Sequence, residues 1–193
     1  EFAELKNMTS DEARKLVFDF RKKFAKENNG KKISLGNLLT NFGIPIEQSV
    51  QWRNDLMRPE DFLVRDEKLI CELQILSKKY KLICVTNNPV KPARKTLEVI
   101  GISDFFEHIV GLDTCYKSKP AREPFEKALE LTKTAAENAV AIGDRYDLDI
   151  VLPLRMGMGG IEVSGVEDVY GLNVILGSKR SFFLFLDYFA FGS

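Results

Sequence analysis

The sequence predicts an α/β fold: a helical region over residues 1–64, then a doubly wound parallel sheet over 65–193. Two observations carry this. The first third has apolar residues at helical spacing. From Lys81 onward, short continuous apolar runs alternate with amphipathic stretches, the pattern of buried parallel strands covered by helices on both faces.

The elements follow in order. "MTSDEARKLVFDFRKKFAKENNG" repeats apolar residues at Ala13, Leu16, Val17, Phe20 and Phe24. Thr9 with Glu12 three residues on predicts a capping box, and "NNG" ends the helix in residues that tolerate the left-handed conformation. Further helices are expected over "LGNLLTNFG" and "IEQSVQWRNDLM", with Pro59 closing the region. Another, from Asp66 to Tyr80, should bury Leu69, Ile70, Leu73 and Leu76. Then "KLICV" reads as a strand, Ala93 to Ile100 as a helix stopped by Gly101, and "HIVG" as a strand. "REPFEKALELT" is a helix whose Pro124 lies in the first turn, where a missing N–H costs nothing. "AVAIGD" is a strand, "DLDIVLPLRMG" a helix and "GGIEV" a strand.

Composition narrows the chemistry. Hydrophobic residues make up 45% of the 193 and charged residues 29%, ordinary for a globular chain. The formal net charge is zero, so no basic excess points to nucleic acid or to an anionic membrane. His108 is the single histidine, which excludes a multi-histidine zinc site. Cys71, Cys84 and Cys115 match no zinc or redox spacing. Cys71 and Cys84 sit in apolar runs, so buried free thiols and a reducing cytoplasm are expected. "EFAELKNMTSDEARK" has no secretory apolar region, and no run reaches membrane-spanning length.

Ligands of open parallel sheets bind beyond the carboxyl ends of the strands. After "KLICV" stand Thr86, Asn87 and Asn88. After "AVAI" stand Gly143, Asp144, Asp147 and Asp149. Lys119 precedes a helix between them. A hydroxyl, a lysine and two or three carboxylates at one edge suit a phosphate group with a hard cation such as Mg²⁺.

"LICVTNNP", "SKPAREPFEKAL" and "AVAIGDRYDLDIVLPLRMGM" resemble motifs two, three and four of the haloacid dehalogenase superfamily, over roughly residues 62 to 175. The helical first third resembles that superfamily's helical cap. The resemblance implies that Thr86 and the backbone at Asn87 bind the phosphoryl group and that Lys119 neutralises nucleophile and phosphate. It implies that Asp144 ligates Mg²⁺ and Asp149 supports that metal shell, with Asp147 a helix-start acid.

Motif one of that family is an apolar strand ending in Asp-x-Asp-x-Thr. Its nearest match is "FFLFLDYFAFGS" near the end of the sequence. The expectation is a displaced or permuted motif one, with residues 182–187 as a central parallel strand and Asp187 as catalytic acid and metal ligand. Two alignments stay open. In one, Asp187 takes the second acid position, with Phe185 at the nucleophile and Phe189 at the threonine. In the other, Asp187 is the nucleophile and Phe189 replaces the second acid. The tail also reads as an apolar segment that buries itself in a partner. The expected activity is hydrolysis of a small phosphorylated metabolite. The rivals are a catalytically degenerate member that binds a phosphorylated ligand or a partner protein, and a 2-haloacid dehalogenase.

Overall fold

The computed structural model describes residues 1–177 and the backbone of 183–187. Five strands form one parallel sheet in the order β2-β1-β5-β3-β4. They are β1 (Leu82–Val85), β2 (Phe106–Val110), β3 (Ala139–Gly143), β4 (Gly159–Glu162) and β5 (Phe183–Asp187). β5 comes last in the chain yet lies in the middle, parallel to β1 on one side and β3 on the other.

The sheet is buried on both faces, as continuous apolar strands require. Leu82, Cys84, Val140 and Ile142 pack on one face with Leu69, Leu73 and Leu76 of α5 (Glu67–Ser77) and Leu97 of α6 (Val90–Ile100). Ile83, Val85, Ala139 and Ala141 pack on the other with Phe125 and Ala128 of α8 (Glu123–Thr132). Alternate residues of one strand thus serve opposite layers. The helical region has an apolar cluster of its own, Leu38, Leu39 and Ile44, against which Phe2, Val17, Phe20, Phe42 and Trp52 pack. It comprises α1 (Phe2–Leu5), α2 (Ser10–Glu27), α3 (Leu35–Asn41) and α4 (Ile46–Leu56). α2 starts in the expected capping box, with Thr9 and Glu12 bonded reciprocally.

Several expectations need correction. α6 begins at Val90, three residues before Ala93, because prolines are tolerated in a first turn and Pro92 falls there. "DLDIVLPLRMG" is not one helix. A wide π-type turn, Tyr146–Ile150, leads into the short α9 (Val151–Arg155). Three short helices had no legible period: α7 (Leu112–Cys115), α10 (Val166–Val169) and α11 (Leu172–Leu176). Cys84 is buried as expected, but Cys71 is exposed, because it lies on the solvent side of α5. Leu16 is likewise exposed on α2. No helix among the described residues is long and apolar enough to cross a membrane.

Candidate active site

All five strands run in one direction, so their carboxyl ends share one edge of the sheet. There β1 leads into Thr86 and β3 into Asp144, and β5 lies between them. In the β3–β5 ladder Gly143 pairs with Asp187, and in the β1–β5 ladder Cys84 pairs with Leu186. The last residue of β5 therefore stands level with the last residue of β3. Phe185 pairs with Ala141 and Ile83, two residues back from the edge, in the body of the sheet. Of Asp187 the backbone alone is described, and Phe189 lies outside the described residues.

Lys119 is 1% exposed and Asp149 3%. Buried charges are tolerable when paired and hydrogen-bonded, and these two are. The Lys119 Nζ donates to Asp149 Oδ1 at 2.7 Å and to the Val85 carbonyl at 2.9 Å. Asp149 Oδ2 accepts from the Arg145 N–H at 3.1 Å. The wide turn swings Asp149 back over the end of β3, and Gly143 makes room for it. A Cβ at position 143 would lie 2.4 Å from the Asp149 Cβ. Asp144, half-buried, follows β3 directly. Asp147 is half-buried on the same turn.

Thr86 is 4% exposed, and its Oγ1 accepts from the Asn88 N–H at 3.2 Å. That bond folds the chain after β1 into a tight turn. Sequence reasoning used Asn87 through its backbone, but its side chain has a second task. Its Oδ1 accepts from the Lys119 N–H at 2.6 Å, and its Nδ2 donates to the Lys119 carbonyl at 3.3 Å. Asn87 thereby clamps the lysine's main chain from both sides. Thr86, Asn87, Lys119 and Asp149 are thus linked at one edge, though they are scattered over 64 positions of the sequence.

The helical region touches this edge through Arg53 of α4, whose Nη1 donates to the Asn87 carbonyl at 2.7 Å. Burial lowers the pKa of this arginine to about 10. Of Trp52, Arg53 and Arg58, which stand close together at the end of the helical region, Arg53 alone bonds to this edge. Trp52 packs in the helical region's own cluster, and Arg58 donates to the carbonyl of its neighbour Met57. One trace of the role of Arg53 is local: no acidic residue stands three or four positions away on α4, where an ion pair would form. A second contact joins the regions where Arg145 Nη2 donates to the Lys32 carbonyl at 3.1 Å. Among the described residues no group of three or more His, Cys, Asp or Glu side chains could by itself hold a metal ion.

Residues 67–163 match the family model of the haloacid dehalogenase-like hydrolases. A phosphoglycolate phosphatase of Aquifex aeolicus is 37% identical over 81 residues, 42% of this chain and 38% of its own length. Pyrophosphatase PpaX of Listeria welshimeri is 31% identical over 93 residues, 48% of this chain and 43% of its own. A glyceraldehyde 3-phosphate phosphatase of Pyrococcus abyssi is 39% identical over 80 residues, 41% and 33% of the two chains. The chain therefore spans well under half the length of these curated relatives. In fold, it resembles a HAD phosphatase from Thermococcus onnurineus at a TM-score of 0.58 and 22% identity, covering 92% of this chain and 86% of that one.

Proposed function

The chain belongs to the haloacid dehalogenase-like hydrolases, and from that premise we propose that it is a Mg²⁺-dependent phosphatase acting on a small phosphorylated metabolite. The observation that carries the reading is the buried Lys119–Asp149 pair beside Thr86, flanking a central strand that ends in Asp187. Three relatives named for phosphatase or pyrophosphatase activity support it. Their three substrates differ, so they do not name this one.

In the proposed reaction a carboxylate oxygen of Asp187 attacks phosphorus and the bond to the leaving oxygen breaks. The leaving oxygen takes a proton, and water then hydrolyses the aspartyl-phosphate to free phosphate and carboxylate. Lys119 lies where its charge would offset the growing negative charge of the phosphoryl oxygens. The Thr86 hydroxyl and the Asn87 N–H would bind those oxygens. The strand register favours Asp187 as nucleophile over position 185, since Phe185 stands two residues inside the sheet. On this reading β5 is motif one displaced in sequence order, and residues 1–64 are a cap that closes over the edge and selects substrate. The separate apolar cluster of α1–α4 supports a distinct unit.

A hard cation fits the donor set in part. Asp144 and Asp187 are carboxylate residues of adjacent strand ends, set side by side by the Gly143–Asp187 pairing. Both oxygens of Asp149 already serve Lys119 and the Arg145 N–H, so its proposed part is to support the metal shell. Mg²⁺ held by Asp144 and Asp187 would withdraw charge from the phosphoryl oxygens.

A second reading is favoured by Phe185 and Phe189, which occupy alternative motif-one positions where the family carries an acid: a degenerate member that binds a phosphorylated ligand without turning it over. Hydrolysis of an aryl phosphate, with and without Mg²⁺, separates the two. Metal-dependent turnover lost in both Asp187→Asn and Asp144→Asn supports the phosphatase. Folded protein with no turnover supports the degenerate reading.

A further inference from the structure

The pairing of β1 with β2 does not stop where the two strands end. The Thr86 N–H donates to the Val110 carbonyl at 2.9 Å, and the Leu112 N–H donates back to the Asn88 carbonyl at 2.9 Å. These are the alternating rungs of a parallel ladder, carried past both strands into the turn that holds Thr86. The next rung comes from a side chain: the Val90 N–H donates to Asp113 Oδ1 at 2.8 Å. Residues 110–113 thus hold residues 86–90 at three successive points.

The third rung answers a need of α6. Val90 opens that helix and Pro89 is its N-cap, and proline has no side-chain acceptor for a helix's first N–H groups. The first turn of α6 has no acid and contains Lys91, which the helix dipole disfavours there. Asp113 supplies both an acceptor and a negative charge from 23 residues away. Its own loop is pinned, because the Gly111 N–H donates to Thr114 Oγ1 at 3.0 Å. Gly111 lets the two segments meet: a Cβ there would lie 2.7 Å from the Val90 nitrogen and 2.8 Å from the Asn88 oxygen.

The turn so held carries Thr86. Thr86 Oγ1 accepts from the Asn88 N–H, which leaves its own O–H to donate. Where the hydroxyl aims depends on Asn88, and Asn88 is held by Leu112 directly and by Asp113 through Val90. We propose that Asp113 is a positioning residue for phosphoryl binding: it caps α6 from a neighbouring loop and so holds the turn from Thr86 to Asn88 in the shape that receives the phosphoryl oxygens. This rests on the phosphatase reading, which makes Thr86 and Asn87 the phosphoryl-binding residues.

Two measurements on the full chain test it, each for Asp113→Ala and Asp113→Asn. The first is amide hydrogen exchange. Asp113→Ala removes the acceptor, so the Asn88 and Val90 amides should exchange about tenfold faster, while α8 keeps its wild-type rates. Asp113→Asn keeps a carbonyl oxygen in the same place and should retain most of the protection. The second is calorimetric titration with inorganic phosphate in the presence of Mg²⁺. Asp113→Ala should weaken phosphate binding roughly three- to tenfold, the worth of one hydrogen bond, and Asp113→Asn should stay within about twofold of wild type. The sign is decisive. Loss of a carboxylate's charge by itself leaves the binding of an anion unchanged or tightens it, and a general loss of stability speeds exchange everywhere. Unchanged or tighter phosphate binding in Asp113→Ala therefore overturns the proposal. So does exchange that rises alike in α8, and so does an Asp113→Asn variant as weak as Asp113→Ala. A wild-type chain that binds no phosphate removes the group to be positioned and overturns it too. Protection of the Val90 amide that still follows the acceptor at position 113 would then show that the phosphatase reading failed and not the brace.

Discussion

A buried lysine and a half-buried arginine lie on either side of Asn87, and they are treated differently. Lys119, on the sheet side, has the Asp149 carboxylate at 2.7 Å and a carbonyl at 2.9 Å. Arg53, on the helical side, has a carbonyl at 2.7 Å and an idle Nε. One charge is compensated within the fold and holds its position before any ligand arrives. The other has a neutral carbonyl as its acceptor. Asn87 joins the two in one chain of bonds.

The largest effect should come from removing the compensation. Asp149→Asn keeps the shape and takes away the charge beside Lys119. Breaking a buried ion pair on one side costs about 3–5 kcal/mol, and urea unfolding should record a loss in that range. Stability unchanged by Asp149→Asn would mean that the two cations are not held differently at all. Gly143→Ala tests the same pair by crowding. The new methyl would meet the Asp149 Cβ at 2.4 Å, so the turn over β3 must shift. A loss of about 1–3 kcal/mol is expected from such overpacking, together with reduced turnover if the lysine moves with its partner.

Asn87→Ala sharpens the link between the two sides. It removes two hydrogen bonds to the Lys119 main chain and leaves a buried N–H and carbonyl without them. About 1–3 kcal/mol of stability should go. If Lys119 relies on this clamp for its position, turnover of an aryl phosphate should fall through kcat rather than KM. A rise in KM with kcat unchanged would assign Asn87 to binding.

The legible part of this molecule was the part written in neighbouring residues. Continuous apolar runs such as Leu82–Val85 and Ala139–Gly143 announce strands buried on both faces, and the polar residues that follow them announce the edge. That Thr86, Lys119 and Asp149 would meet at one edge could be read because each sits at a fixed place relative to a strand or helix. Short helices such as Leu112–Cys115 could not, since four residues make no period. The break of the predicted helix at Tyr146–Ile150 was hidden for a different reason: the turn is shaped by Asp149 reaching back to Lys119, a contact 30 residues away. The bond from Arg53 to Asn87 spans 34 residues and joins two separate apolar clusters, so no local pattern encodes it.

Arg53→Met should give the smallest change, and its sign is the informative part. The substitution removes a half-buried charge whose acceptor is a neutral carbonyl and keeps an apolar stem of similar length. Replacing buried charges by apolar residues is often neutral or mildly stabilising, so urea unfolding at neutral pH should give a difference between zero and about 1 kcal/mol in favour of Arg53→Met. The pH dependence follows from the pKa of about 10 in the folded chain, below the ordinary value of an arginine. Between those values the unfolded arginine holds its proton more firmly than the folded one, so wild-type stability relative to the variant rises as pH climbs through that window. Below pH 10 both states are charged and the full cost of burial is present. A variant less stable than wild type by more than about 1 kcal/mol would instead show that the bond to Asn87 outweighs that cost. Arg53 would then be a clamp between the two regions, and the contrast with Lys119 would be one of partner rather than of purpose.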